Sequence, residues 1–383
     1  MNRFGIGVAA ALAICAASAL TACSRVPDVV KIGVGQPLSG PLAHEGQDLL
    51  HGVELAVEEI NAEGGMRIAG KRVKLAIVSV DDKANPTDGK VAAQQLVDQG
   101  VVAAIAHLNS GVSIPTAPIY AQAGIPQLAI STKPDYTRLG LPTTLRLVAN
   151  DDLQSKAIGN YALQLRGVER IAVVDDSTPY GKGLADQAAA VIAAAKRPIP
   201  VRRSLDDKTT DFTELVAAMA AAKVDLLVTT LSDFQVEALI KQLPKNGSSQ
   251  ISILGGDTLK TSRMPAAAAK FGGSVYATSS ILEVREFLNG KAFLERFRQR
   301  FGSDPVYGAH YTYDAVYLVA DALGRNGSVD KGELLKRLKS FDGNAPMTGV
   351  MRFDESGEQR YGSIGVYKLA SSQWELIFQS DRW

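Results

Sequence analysis

From Val30 onward, short and nearly continuous apolar runs alternate with longer amphipathic stretches. Residues 31–34, 73–80, 101–106, 125–130, 171–174 and 225–229 are rich in Val, Ile, Leu and Ala and predict strands. Strands that are apolar on both faces belong in a parallel sheet covered by helices on each side. The intervening stretches fit that cover. Leu49, Val53, Ala56, Val57 and Ile60 fall at helical spacing, and Gly64-Gly65 can supply a left-handed C-cap. Residues 85–98, 151–165, 181–196, 211–222 and 235–243 repeat the theme. Strand then helix, many times over, predicts doubly wound α/β architecture.

After about residue 287 helices dominate through Phe341, and short strands return near residues 351–353, 364–369 and 374–378. A late return to strands predicts that the chain crosses back between two units.

The first residues carry a different pattern. Arg3 precedes an uncharged, alanine-rich run that closes on Leu20-Thr21-Ala22-Cys23. A positive start, a short apolar run and small residues at the cut site predict an export signal over residues 1–22. The Leu-x-Ala-Cys ending resembles a bacterial lipobox, which implies acylation of Cys23 as the mature N-terminus, with residues 23–29 as a tether. An uncleaved membrane helix is the alternative, because the run approaches the ~20 residues of a span. Both readings place the globular part outside the cytoplasm.

Composition then narrows the function. Only Cys15 and Cys23 occur, and Cys15 lies within the leader, so a mature chain has no internal disulfide. Loss of Arg3 with the leader leaves 40 Lys+Arg against 40 Asp+Glu. That balance argues against a nucleic-acid or anionic-membrane surface. With 46% hydrophobic residues and a length of 383, the chain can build two cored domains.

In open α/β sheets ligands bind beyond the carboxyl ends of the strands, so the loops after the apolar runs are the places to look. His107-Leu108-Asn109-Ser110-Gly111 precedes a helix-like stretch, whose first N–H groups and the Ser110 hydroxyl could hold a carboxylate. Ser131-Thr132-Lys133-Pro134 is a second hydroxyl-rich loop, and Gly255-Gly256-Asp257 offers a carboxylate suited to an ammonium group. Ser110, Thr132 and Asp257 serve equally well as helix caps. Tyr180 could close over a ligand or pack a loop.

Catalytic and cofactor motifs are lacking: there is no G-x-S-x-G, H-E-x-x-H, P-loop or C-x-x-C. One S-x-x-K match, Ser328 to Lys331, reads as a helix start. The four histidines His44, His51, His107 and His310 are scattered without metal-ligand spacing. The reading is therefore of a non-enzyme without a cofactor.

An ordered set of motifs then narrows the class. It comprises Ser39-Gly40-Pro41, residues 59–65 (EINAEGG), Asp81-Asp82 with Asn85-Pro86, Gly100, Tyr180-Gly181-x-Gly183 and Phe353-Asp354-x-x-Gly357. In that order they resemble the periplasmic branched-chain amino-acid-binding proteins, from about Val30 to the C-terminus. The resemblance implies a type I periplasmic binding protein fold: two doubly wound parallel-sheet lobes joined by three hinge crossovers near residues 145–150, 276–282 and 350–354. Lobe 1 would comprise residues 30–147 and 282–350, and lobe 2 residues 148–281 and 351–383. A ligand held between lobes would be delivered to an ATP-binding cassette (ABC) permease.

Carried over by position, the resemblance implies that Ser110, Ser131 and Thr132 bind an amino acid's carboxylate, Asp257 its ammonium, and Tyr180 lines the opposite lobe. Glu45 stands where branched-chain binders place an aromatic residue, and Ser232, followed by Asp233, where they have a tyrosine. Both departures imply a more polar side-chain pocket. The family's disulfide positions appear as Ala84 and Asn109. Amides, urea-like solutes, aromatic acids and a cell-wall-synthase activator role on the same fold are the alternatives, with an extracytoplasmic hydrolase as a third class.

Overall fold

The structure, a computed structural model, describes residues 26–243 and 251–380. The leader and Cys23 lie outside the described residues.

The first apolar run forms β1 (Val29–Gln36), with Val30, Ile32 and Val34 buried. It joins β2 (Met66–Ile68), β3 (Lys71–Asp81), β4 (Ala103–Ala106), β5 (Gln127–Ala129) and β6 (Thr144–Arg146) in a six-stranded sheet of order β2-β3-β1-β4-β5-β6. All pairs are parallel except β2 with β3, a short antiparallel edge that the apolar pattern did not anticipate.

Helices α1 (Ala43–Ala62), α2 (Pro86–Asp98) and α3 (Ser110–Gln122) connect these strands. α1 stops as the glycines require. Gly64 N–H donates to Asn61 O at 3.1 Å and Gly65 N–H to Ile60 O at 2.9 Å, and both glycines have positive φ. The Asn85 side chain accepts from the first-turn N–H groups of α2.

The second sheet has seven strands. They are β7 (Ile171–Asp175), β8 (Val201–Ser204), β9 (Leu226–Thr229), β10 (Ser252–Gly255), β11 (Val275–Ser279), β14 (Ile364–Ala370) and β15 (Gln373–Ser380), in the order β15-β14-β11-β10-β9-β7-β8. The last two strands pair antiparallel, so this sheet is mixed rather than wholly parallel. Helices α4 (Asp151–Gln164), α5 (Pro179–Ala194), α6 (Thr213–Ala221), α7 (Asp233–Gln242) and the short α8 (Met264–Ala267) accompany it.

The helices α9 (Gly290–Phe301), α10 (Ala309–Asn326) and α11 (Lys331–Lys339) return to the first sheet. Phe293, Phe297, Val316 and Val319 join Leu49 and Val53 in its core. Each such burial contributes about 1.5–3 kcal/mol, so the first unit depends on sequence-distant halves. Ser328 does not cap α11; Asp330 does, accepting from Glu333 N–H at 2.9 Å. A ribbon of β12 (Asp342–Ala345) and β13 (Gly349–Arg352) follows, in which β12 was not anticipated because its sequence is polar.

The chain passes between the sheets three times: between β6 and α4, between β11 and α9, and between β13 and β14. The first and third passages are tied together. Arg146 N–H donates to Gly357 O at 2.8 Å. A Cβ at Gly357 would sit 1.9 Å from Thr144 O, and its φ is +94°. Only glycine allows that approach.

Candidate functional site

The strand ends converge. The loops after β4, β5 and β10, together with α1 and the start of α5, line a narrow cleft. Glu45, Ser110, Ser131, Thr132, Tyr180 and Asp257 all line it. They come from both lobes. A wider opening of about 390 Å³ adjoins it, sharing Leu42, Asn109, Ser110, Tyr180 and Thr258, and forms its mouth.

The first-lobe side is rich in donors. Ser110 is the first residue of α3, where helix geometry leaves N–H groups without intrahelical partners. Its hydroxyl oxygen accepts from Lys133 N–H at 3.2 Å, which leaves its proton available to a ligand. Ser131 Oγ is buried without a partner. Behind this loop lies Arg146, fully buried, whose guanidinium holds the carbonyls of Ser131 and Lys133 and pairs with Glu358 at 2.9 Å. With two loop carbonyls tied back, the loop's hydroxyls are what remain for the cleft. Neither Ser110 nor Thr132 caps a helix: Asn109 holds that position before α3, and Lys133 holds it before the 3-10 turn Pro134–Leu139.

The second-lobe side is acidic. Asp257 is 2% exposed, and its Oδ1 accepts from Ser279 Oγ at 2.8 Å, Ser280 N at 2.7 Å and Ser280 Oγ at 3.1 Å. Its other oxygen, Oδ2, is buried with no partner. Half of the carboxylate is therefore anchored and half is unsatisfied. Burial pushes its pKa up, against the pull of those donors and of the Gln154 amide. Tyr180 accepts a hydrogen bond from Asp257 N–H at 3.0 Å, so its own proton is free for another acceptor.

Glu45, on α1, is 1% exposed, and both of its carboxylate oxygens lack partners. Burial, and then the nearby Asp233, hold its pKa well above the usual carboxylate range.

Two expected contacts sit farther out. Ser232 lines the mouth and not the inner cleft. It precedes α7 as its N-cap, and its N–H donates to Gln235 Oε1 at 3.2 Å. Asp233 lies behind Glu45; its Oδ2 meets His44 Nε2 at 3.2 Å and accepts from Thr261 Oγ1 at 2.7 Å, while Oδ1 is unpartnered. Burial raises its pKa, but His44 and Thr261 outweigh burial and leave it below the ordinary value. One ligand-type atom each from His44, Glu45 and Asp233 lie within 4.8 Å of one another. Linear spacing concealed this grouping, because His44 and Asp233 belong to different lobes.

Sequence reasoning missed three residues. Tyr307 lines the cleft from the segment before α10. Asp48 holds that segment, accepting from the N–H groups of Val306, Tyr307, Gly308 and Ala309 at 2.6–3.0 Å. Asp151 begins α4 with its carboxylate buried, and burial pushes its pKa up to about 8 against the pull of the Thr132 hydroxyl.

A family model described as Periplasmic binding protein matches residues 29–370. The chain belongs to the periplasmic binding protein family. Such a protein binds a small solute outside the cytoplasm and works with an ABC transporter. This chain is 30% identical over 340 residues to Leu/Ile/Val-binding protein homolog 1 of Brucella abortus, covering 88% of this chain and 90% of that one. Its fold superimposes on the branched-chain amino acid transporter substrate-binding protein LivJ of Streptococcus pneumoniae in complex with isoleucine, with TM-score 0.82 and 25% identity, covering 92% and 100%. A solute-binding protein of Rhodopseudomonas palustris in complex with 3,4-dihydroxybenzoic acid gives TM-score 0.80 at 21% identity over 93% and 98%, a likeness of fold alone. Among the described residues of this periplasmic binding protein, no helix is long and apolar enough to cross a membrane.

Proposed function

We propose that this protein captures an α-amino acid by its two charged ends and presents it, closed between the lobes, to an ABC permease. The carboxylate docks on the α3 N-terminus and the hydroxyls of Ser110, Ser131 and Thr132. The ammonium docks on Asp257, with Tyr180 and Tyr307 walling the cleft. No bond is made or broken. The observation that carries this reading is the free Oδ2 of Asp257, a buried acceptor in a cleft whose other wall supplies donors. A buried carboxylate needs a cationic partner, and sequestering both pairs strengthens them relative to water.

A ligand with a carboxylate alone, such as an aromatic acid, would leave Asp257 unsatisfied. The three passages between the sheets act as hinges in this cycle, dividing lobe 1 (30–147, 282–350) from lobe 2 (148–281, 351–383). Cys23 supplies a lipid anchor on the extracytoplasmic side.

Asp257→Asn tests the reading. Calorimetric titration should show amino-acid binding weakened by about 2–5 kcal/mol, the cost of breaking a desolvated charge pair. An unchanged dissociation constant would reduce Asp257 to a brace for residues 279–280.

A further inference from the structure

An ordinary zwitterion balances only part of the cleft. The described residues that line it include two carboxylates, Glu45 and Asp257, and no Lys or Arg. The ligand's ammonium satisfies Asp257, and its carboxylate is met by hydroxyls and N–H groups. Glu45 then remains 1% exposed with both oxygens unpartnered. Asp233 Oδ1, close behind it, is unpartnered as well.

The nearby cations do not close this gap. His44 engages Asp233 Oδ2, and Arg263, whose field reaches Glu45 and Asp233, is half exposed and pairs with Glu237 at 3.5 Å. A leucine side chain would set methyl groups against an unsatisfied acid, which costs free energy and gains no hydrogen bond.

We infer that the side-chain end of the cleft, formed by Glu45 with Asp233 behind it, takes a cationic, donor-rich group, so that the solute is a basic α-amino acid bearing a terminal ammonium or guanidinium. This rests on the amino-acid reading given above and names its substrate class. The ligand would bring two positive groups and one negative group. Asp257 and Glu45 then each gain a partner, and the cleft approaches neutrality. The raised pKa of Glu45 agrees with an acid that lacks its cation.

Lysine against norleucine is the decisive comparison, since the two differ only by the terminal ammonium. The mature protein, dialysed free of carried-over solute and treated with chelator, would be titrated calorimetrically with lysine, ornithine, arginine, norleucine and leucine. At least one basic amino acid should bind about 30-fold or more tighter than norleucine. Glu45→Gln should erase most of that preference. Norleucine or leucine binding as tightly as the basic amino acids would overturn the inference and leave the amino-acid reading standing. So would a preference that survives Glu45→Gln, or binding that appears only when zinc is restored, which would make His44, Glu45 and Asp233 a metal site. Failure of every amino acid alongside tight binding of an aromatic acid would overturn both readings.

Discussion

His44 Nε2 on α1 lies 3.2 Å from Asp233 Oδ2 on α7, a polar contact between lobes that otherwise meet around a cleft. His44 is partly exposed and Asp233 is buried, so the contact sits where the cleft wall reaches solvent. A contact of this kind favours the closed arrangement by about 1 kcal/mol or less. His44→Ala should therefore raise the open fraction of the ligand-free protein, seen as a larger radius of gyration in solution scattering. Identical scattering from the two proteins would show that His44 does not bias closure.

Asp151 makes stability depend on pH in a defined direction. Its folded pKa of about 8 lies above the ordinary Asp value, so between about pH 4 and 8 the folded state binds the extra proton. Stability of the ligand-free protein should fall as pH rises through that window. Asp151→Asn removes the ionisation, so the mutant should gain about 1 kcal/mol or more over the parent at pH 8 and show a shallower slope. Chemical denaturation at pH 5 and pH 8 checks this; equal slopes would contradict it.

Asp48 should matter to the ligand without touching it. It gathers four consecutive N–H groups at the start of α10, and Tyr307 is among them. Asp48→Ala leaves those donors buried without an acceptor, a loss of about 2–4 kcal/mol of stability. Ligand affinity should drop as well, because Tyr307 is no longer held in the wall. A mutant that unfolds earlier but binds equally well would show that Tyr307 is positioned by its packing alone.

Much of the fold was legible because the central strands, such as β4, β7 and β9, are runs buried on both faces, whereas the polar β12 and the short edge β2 gave no such signal. That Ser110, Thr132 and Asp257 line the cleft was legible because the loops after strand ends converge there. Tyr307 follows no strand and Asp151 reads as one more acidic residue at a helix start, so neither had a local signal. Tyr307 reaches the cleft only when the second stretch of the first lobe folds back onto the first, and Asp151 is set apart only by its burial. Ser232 lies at the mouth and not the inner cleft. Its spacing to Gln235 is that of a capping box, a signal present in the sequence and outweighed there by position within the family pattern.

Arg146 is a further residue that sequence concealed, since nothing in its local sequence marks the last residue of the short β6 as a fully buried cation. It joins the ligand loop at Ser131 and Lys133 to Glu358 on the third passage. Arg146→Met would strand Glu358 and release both carbonyls, costing about 3–5 kcal/mol of stability. A melting temperature within a degree of the parent would contradict that role.

The most direct measurement compares an α-amino acid that binds with its two single-deletion analogues, one lacking the α-ammonium and one lacking the α-carboxylate, by calorimetry. Grip at both ends predicts that each analogue loses about 2 kcal/mol or more, roughly 30-fold in affinity. A des-amino analogue that binds as tightly as the amino acid would contradict the account.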